Sequence, residues 1–231
     1  MSSDWLAFWD SPHSIYVNAR HKDVHYRLIA KEIAAHVPSR TARVLNYGCG
    51  EAVHADEAAS VAGEVLLCEA APGVRSGLEA RFAGHPKIKI VTPEDVAQLP
   101  PHSLDLIVLH SVAQYLTAAE TDALFKLFHR LLKSDGLLVV GDVIPPHVPA
   151  ATDALALLRF GAANGFFFAA VSGLLRTFFS DYWRLRARLG LTRYAEAEML
   201  EQLTAAGFAA RRATKNLGHN AARMAFYARP R

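Results

Sequence analysis

The order of apolar and polar positions divides the chain into alternating strands and helices. Short apolar runs bounded by turn residues predict buried strands at 44–45, 65–68, 88–91, 104–109 and 137–144, with two further strands at about 209–215 and 223–228. Apolar residues spaced by three or four positions predict helices at about 22–36, 54–62, 74–83, 118–133 and 195–206. Strands that alternate with helices in this way are typical of a parallel sheet with helices on both faces.

The segment 42–51 is the most informative part of this pattern. Its apolar strand residues Val44 and Leu45 are followed by Gly48 and Gly50, and a predicted helix comes next. A strand that breaks into a glycine turn before a helix exposes backbone amides, which is typical of a nucleotide-sized ligand site. Glu69 ends the second strand, where its carboxylate can accept both hydroxyl protons of a ribose.

Two classes of cofactor have this spacing. The dinucleotide fingerprint requires a third glycine, three residues after the second, so that the helix can approach a pyrophosphate. Val53 occupies that position. Its branched side chain disfavours a pyrophosphate, and with it a dehydrogenase, and favours a ligand that has a ribose but no phosphate.

The residues Asn46-Tyr47-Gly48-Cys49-Gly50 resemble the first motif of the class I S-adenosylmethionine-dependent methyltransferases, in which an acidic residue precedes Gly-x-Gly. Asn46 departs from that pattern: its amide can accept a hydrogen bond from the cofactor's ammonium group but brings no charge. The resemblance extends to the segment after the fourth strand and to the last helix and strands. It is strongest to small-molecule enzymes of the ubiquinone and menaquinone methyltransferase type.

The resemblance implies a Rossmann-like, doubly wound α/β fold with a seven-stranded sheet whose last strand is antiparallel. It implies S-adenosylmethionine as cofactor, S-adenosylhomocysteine as product, and no metal. The cofactor-binding residues that it implies are Tyr16, Arg20, Asn46, Tyr47, Gly48, Cys49, Gly50, Glu69, Ala70, Asp95, Val96, His110 and Ser111.

Two groups of these residues have a second interpretation. The N-terminal segment around Tyr16 and Arg20 could close over the cofactor, or its aromatic residues could dock on the core. At the end of the third strand, Asp95 could accept from the adenine amino group while the Val96 amide donates to a ring nitrogen. Acidic residues at this place are equally typical of a helix N-terminus.

The candidates for a general base are His110, Tyr115 and His147. His110 and Tyr115 follow the central strand at 104–109, and ligands of open α/β sheets bind at the carboxyl ends of strands. A base is needed only if the methyl acceptor is protonated at the operating pH.

The most distinctive segment lies between the fifth strand and the last helix. Residues 154–193 contain six arginines and one acid, Asp181, and they are rich in aromatic side chains: Phe160, Phe166, Phe167, Phe168, Phe178, Phe179, Tyr182 and Trp183. The uncharged run 160–175 is shorter than the ~20 apolar residues that span a bilayer. Three interpretations follow: a helical hairpin packed into the domain, a lid over an apolar substrate pocket, or a basic aromatic surface on a membrane.

Length and composition fit one well-cored domain, since the chain has 231 residues of which 52% are hydrophobic. Its expected parts are an N-terminal arm and helix (1–38), a cofactor-binding core (39–146), a helical lid insertion (147–193) and a terminal helix with strands (194–231). A net charge of +3 does not indicate nucleic-acid binding. Two cysteines without a disulfide pattern, and no secretion signal, predict a cytoplasmic protein, with peripheral membrane contact through 154–193 as a further hypothesis.

These features predict an enzyme that transfers a methyl group from S-adenosylmethionine to an apolar small molecule, such as a lipid, a quinone precursor or an aromatic natural product. The alternative is a non-catalytic membrane or partner-binding module with the same fold, which the uncharged Asn46 favours. The sequence does not specify the oligomeric state or the methylated atom.

Overall fold

A seven-stranded sheet forms the centre of the computed structural model, which describes residues 3–11, 15–177, 188 and 190–231. The strands are β1 (Arg43–Tyr47), β2 (Glu64–Cys68), β3 (Ile88–Val91), β4 (Leu104–His110), β5 (Leu132–Val143), β6 (Phe208–Arg212) and β7 (Met224–Pro230). Their order is β3-β2-β1-β4-β5-β7-β6, and β7 runs antiparallel to both of its neighbours. The predicted Rossmann-like fold is thus confirmed.

Helices cover both faces of this sheet. They are α1 (Ser3–Asp10), α2 (Ala19–His36), α3 (Ala55–Val61), α4 (Pro72–Arg81), α5 (Pro93–Ala97), α6 (Ala118–Leu131), α7 (Ala150–Asn164), α8 (Phe167–Thr177) and α9 (Glu196–Ala205). Alternate residues of β1 point to opposite faces. Leu45 joins a core with Phe128 of α6, whereas Val44 joins a core with Ile33 of α2 and Ala58 of α3.

The observed boundaries differ from the predicted ones mainly at β5. The preceding helix was predicted to reach Lys133, but α6 ends at Leu131 and β5 begins at Leu132 rather than at 137. The reason is a long-range pairing: Leu132 lies opposite Leu104, and the register then shifts before Leu106 pairs with Leu137. Local sequence cannot encode such a pairing.

The N-terminal segment packs across the carboxyl edge of the sheet. Trp5 of α1 is buried, and its ring centroid lies 4.7 Å from that of Tyr115, which follows β4. Asp10 at the end of α1 accepts a hydrogen bond from the Gly73 amide of α4. Trp5 therefore docks on the core, as one of the two interpretations proposed.

The segment after β5 forms a helical hairpin of α7 and α8. Gly165 ends α7 in a left-handed conformation (φ +74°), and Gly161 allows close approach, because a Cβ atom there would lie 3.2 Å from the Cβ of Ala170. The aromatic residues Phe178, Phe179, Tyr182 and Trp183 lie outside the described residues. In the described part of the chain, none of the helices combines the length and apolar character needed to cross a bilayer.

Candidate functional site

The glycine turn after β1 lies where that strand separates from α3. The amides of Gly48 and Cys49 donate to the Cys68 carbonyl of β2 at 2.8 and 3.1 Å. Gly48 (φ +69°) and Gly50 (φ +56°) both have left-handed backbones. A Cβ atom on Gly48 would lie 2.4 Å from the Val112 side chain, so both backbone conformation and space require glycine there.

The Glu69 carboxylate is fixed against this turn. One of its oxygens accepts from the Gly50 amide and the other from the Ala71 amide, each at 2.9 Å. The residue is only 8% exposed. Since a carboxylate has about four acceptor positions, lone pairs remain for two ribose hydroxyls. Arg75 holds the adjoining backbone by donating to the carbonyls of Glu69 and Ala70.

Helix α2 holds the other side of the turn. The Tyr26 hydroxyl accepts from the Glu51 amide at 3.0 Å, and Lys22 forms an ion pair with the Glu51 carboxylate at 2.7 Å. Burial raises the pKa of Tyr26 to about 12, and it also raises the pKa of Tyr16, whose ring packs against that of Tyr26. Both phenols therefore stay neutral over the physiological range.

An outer cavity of about 420 Å³ lies beside the turn, between α1, α2 and α4. It is lined by Trp9, Asp10, Ser11, Ile15, Tyr16, Lys22, Tyr26, Gly50, Glu51, Gly73, Val74, Gly77, Leu78 and Arg81. Small-molecule pockets measure roughly 300–1,000 Å³, so this cavity has the size of a cofactor site. Its walls combine aromatic rings with backbone of the glycine turn, which fits a nucleoside ligand.

A smaller inner cavity of about 50 Å³ lies under the turn, lined by Asn46, Gly48, Cys49, His25 and His110 among others. Its lining includes Asn46 and His110 near the carboxyl ends of β1 and β4, between which the strand order reverses direction. Ligands of doubly wound sheets bind at this switch point. The two cavities share Tyr26 and the glycine turn, so together they mark one site.

Four histidines gather above the switch point, and we call them the histidine cluster: His21, His25, His110 and His219. Neighbouring ring centroids lie 6.1–6.4 Å apart. Burial, together with the nearby His219, lowers the pKa of His21 to about 4. Burial also lowers the pKa of His25 and of His219. Among the described residues, no group of three or more His, Cys, Asp or Glu side chains could hold a metal ion.

The ends of β4 and β5 carry two non-glycine residues in left-handed conformations. These are Ser111 (φ +58°) and Asp142 (φ +60°), which follow the paired residues His110 and Gly141. The Ser111 hydroxyl donates to the Asp142 carboxylate at 2.7 Å. The Asp142 amide donates to the Asn216 side chain at 2.9 Å, which ties the strand end to the β6–β7 loop. Such strained residues persist where surrounding contacts hold them, often in functional sites.

Several predicted cofactor residues have other contacts in the structure. Arg20 donates to the Asn164 carbonyl at the end of α7, so it joins α2 to the insertion, and it is not among the residues that line the two cavities. Asp95 forms a capping box with Thr92 at the start of α5, which is the helix-terminus role that the sequence also allowed. The Val96 amide donates to the Thr92 carbonyl within this helix rather than being free for an adenine ring.

The other predicted residues divide between the cavities and the cores. Tyr16 and Gly50 line the outer cavity, whereas Asn46, Gly48, Cys49 and His110 line the inner one. The Tyr47 ring packs against Phe128 in the core.

The three candidate bases are not gathered at one point. Tyr115 is packed against Trp5 and Trp9 of α1. His147 is exposed in the turn after β5 and lines neither of the two cavities. His110 alone among them lies at the switch point, where its Nε2 contacts the Leu217 carbonyl at 3.2 Å.

Sequence reasoning missed four residues around this site: His25, Asp142, Asn216 and His219. The motif spacing did not include them, because they come from α2, β5 and the β6–β7 loop and meet only in the folded chain. The position of Asp142 at the carboxyl end of a predicted strand was the one available signal.

Comparison with known proteins agrees with this geometry. Residues 45–140 match the family model described as a methyltransferase domain. No curated protein matches the chain significantly.

Among solved structures, the chain is similar to a SAM-dependent methyltransferase of Leishmania major, with 15% identity, a TM-score of 0.62 and coverage of 98% of this chain and 81% of that one. It is also similar to magnesium protoporphyrin IX methyltransferase of Synechocystis PCC 6803 with bound SAH, with 17% identity, a TM-score of 0.60 and coverage of 99% and 94%. A third is human N-acetylserotonin methyltransferase in complex with SAM, with 16% identity, a TM-score of 0.59 and coverage of 97% of this chain and 55% of that one.

At these identities the solved structures establish the fold, and the family match adds the domain type. Together with the fixed Glu69 carboxylate, they support the predictions of a methyltransferase enzyme and of S-adenosylmethionine as its cofactor.

Proposed function

We propose that this protein transfers the methyl group of S-adenosylmethionine to an apolar small-molecule acceptor, with quinone precursors, lipids and aromatic natural products as the candidate classes. The main observation in favour of this cofactor is the Glu69 carboxylate, which accepts a hydrogen bond from the Gly50 amide beside a cavity of about 420 Å³. Bound there, S-adenosylmethionine would supply an electrophilic methyl group that needs no further activation.

The proposal of an apolar acceptor is based on aromatic residues of the helical insertion after β5. Phe166 stacks on His21 with a centroid distance of 4.9 Å, and Phe160 stacks on His219 at 4.3 Å. These rings bring an apolar wall to the histidine cluster, next to the switch point. An apolar wall favours an apolar acceptor, since it would leave the polar groups of a water-soluble molecule unpaired.

The chain's own contribution to the chemistry would be alignment and exclusion of water. Tyr26 and Glu69 hold the glycine turn, α1 covers the carboxyl edge, and α7 covers the histidine cluster. Holding donor and acceptor in line in a dry site lowers the entropic barrier to a displacement reaction.

We also propose that the protein meets a membrane surface through α8, as an apolar acceptor dissolved in lipid would require. Phe168 is 87% exposed and Leu175 is 68% exposed, and Val171 lies between them on the same side of the helix. The exposed cation Arg176 follows this stripe. Aromatic and aliphatic side chains beside a cation are typical of helices that rest on an anionic bilayer.

Transfer of labelled methyl from S-adenosylmethionine into an extract of the source cells, separated into organic-soluble, aqueous and macromolecular fractions, tests the activity. We expect label in the organic fraction with the wild-type protein and none with Gly48→Ala. Enzyme-dependent label in only the aqueous or macromolecular fraction would contradict the apolar acceptor. Absence of label from all fractions would favour the non-catalytic alternative.

Cosedimentation with vesicles that contain anionic lipid tests the membrane contact. The double variant Phe168→Ser/Leu175→Ser removes the stripe and should lower partitioning by tenfold or more, since each buried side chain contributes about 1.5–3 kcal/mol. Leu155→Ser, at an exposed apolar position of α7, is the matched control. Equal partitioning of all three proteins would refute the contact.

A further inference from the structure

The carboxyl ends of β4 and β5 carry a hydrogen-bonded chain of three side chains. His110 Nε2 faces the Leu217 carbonyl at 3.2 Å, His110 Nδ1 faces the Ser111 hydroxyl at 3.2 Å, and that hydroxyl donates to Asp142 Oδ2 at 2.7 Å. A carbonyl only accepts, so Nε2 carries a proton. Nδ1, which faces Ser111, carries a lone pair if the ring has one proton and a second N–H if it has two.

With one proton on the His110 ring, this chain is one proton short of complete. The Ser111 hydroxyl has one hydrogen, and the distances place it on Asp142, so the longer contact to His110 Nδ1 brings two lone pairs together. If Asp142 gains a proton, it can donate to Ser111, and Ser111 can turn to donate to His110. One added proton therefore satisfies every contact in the chain, whether Asp142 takes it or His110 Nδ1 takes it and donates to Ser111.

Asp142 has an oxygen with which to receive that proton. Its Oδ1 accepts no hydrogen bond from the described residues, whereas Oδ2 is held by Ser111 and the backbone amide by Asn216. The left-handed backbones of Ser111 and Asp142 show that this arrangement is maintained against local preference.

Asp142 lies near the apolar wall that Phe160 and Phe166 form at the histidine cluster. His219 of the β6–β7 loop interacts electrostatically with the Asp142 carboxylate, with His110 of β4, with Arg223 of the same loop region and with Asp153 of α7. The His219 ring stacks on Phe160 of α7. Asp142 therefore lies between the switch point and the apolar side of the insertion.

We propose that Asp142 is the general base of methyl transfer, that Ser111 and His110 are its positioning residues, and that the acceptors are apolar molecules whose nucleophilic oxygen carries a proton. The inference rests on the proposed function and names its substrate class. As the acceptor oxygen bonds to the methyl carbon, the sulfur–carbon bond breaks with its electron pair on sulfur, and the hydroxyl proton moves to Asp142 Oδ1. Acceptors that are already anionic, such as carboxylates, would not need this base.

The first experiment uses two phenol acceptors: 4-hexylphenol, which is protonated at pH 7.5, and 4-hexyl-2,6-dinitrophenol, which is ionised there. Asp142→Asn should lower kcat for hexylphenol by about 100-fold or more, the usual contribution of a general base, and should lower kcat for the ionised analogue by less than about fivefold. Asp135→Asn, on an exposed position of the same strand, should match wild type with both acceptors. Ser111→Ala is the second variant and should lower kcat for hexylphenol with KM unchanged.

The second experiment needs no turnover. In protein with ¹⁵N-labelled histidines and saturated with S-adenosylhomocysteine, Asp142→Asn should shift the His110 Nδ1 resonance to that of a hydrogen-bonded acceptor. The reason is that the asparagine amide would donate to Ser111 and turn its hydroxyl toward His110. Asp135→Asn should leave this resonance at the wild-type position.

Calorimetry with S-adenosylhomocysteine separates the two proposals. Wild type that binds this ligand but transfers no methyl group to either phenol overturns the inference and leaves cofactor binding intact. Equal losses of kcat on both acceptors, or an unmoved His110 resonance in Asp142→Asn, also overturn it. Wild type that does not bind S-adenosylhomocysteine overturns the proposed function itself.

Discussion

Stability at mildly acidic pH should depend strongly on His21. This side chain lies in α2 with 6% of its surface exposed, and its ring stacks on Phe166 of the insertion. Its Nδ1 accepts a hydrogen bond from the Val17 amide at 3.3 Å, which requires the unprotonated nitrogen. Burial is the main cause of its pKa of about 4, and the neighbouring His219 adds to the effect.

The size of the effect follows from the difference between the folded and unfolded states. The unfolded chain protonates at a pKa of about 6.5 whereas folded His21 protonates at about 4, so the unfolded state binds more protons as the pH falls between these values. From pH 7 to pH 5 this costs about 2 kcal/mol of unfolding free energy. His25 and His219 add losses of the same sign, since burial lowers their pKa values too.

Urea denaturation of wild type and His21→Phe at pH 7, 6 and 5 measures the contribution of His21. Phenylalanine retains a ring against Phe166 but does not titrate. We expect wild type to lose about 2 kcal/mol more than His21→Phe between pH 7 and pH 5. His147→Phe, in the exposed turn after β5, controls for removal of an imidazole. Equal losses in wild type and His21→Phe would refute this explanation.

Three further substitutions test the glycine turn, the carboxylate and the anchor of the insertion. Gly48→Ala should destabilise the protein by about 1–3 kcal/mol and abolish calorimetric binding of S-adenosylhomocysteine, because the left-handed backbone has no room for a Cβ atom. Glu69→Gln should weaken that binding by about 10- to 100-fold, because it removes a charge-assisted hydrogen bond to the ligand. Glu79→Gln, on the exposed side of α4, is the control and should leave the dissociation constant unchanged. Asp153→Asn removes the charge that pairs with buried Arg223 at 2.8 Å, and it should lower the unfolding free energy measured in urea by about 3 kcal/mol.

Most strands of the sheet could be predicted from the sequence because they are short runs of mainly apolar residues. Ile88–Val91 matches its predicted limits, and Leu104–His110 differs from them by one residue. The apolar residues of β4 lie in the interior, where hydrophobic side chains are favourable on both faces of the sheet. The glycine turn was equally accessible, since left-handed backbone conformations restrict the residue type directly.

The rest of the site depends on long-range contacts that local patterns do not encode. Arg20 has the charge and position of a ligand-binding residue, yet it joins the end of α7, 144 residues later in the sequence. His25 and His219 meet across the fold, and no motif connects them. Asp95 was predicted to contact adenine, but it lies at the start of α5, where it caps the helix. Acidic residues are favoured at both kinds of position. The residue type limits the roles that a side chain can have, and its contacts in the folded chain determine which of these roles it has.

Calorimetric titration of the purified wild-type protein with S-adenosylhomocysteine, and separately with NAD, tests the central claim most directly. The glycine turn, the Glu69 carboxylate and the outer cavity predict saturable binding of S-adenosylhomocysteine at one site per chain, which Glu69→Gln weakens, and no heat with NAD. Binding of NAD, or no binding of S-adenosylhomocysteine by a folded protein, would contradict the account.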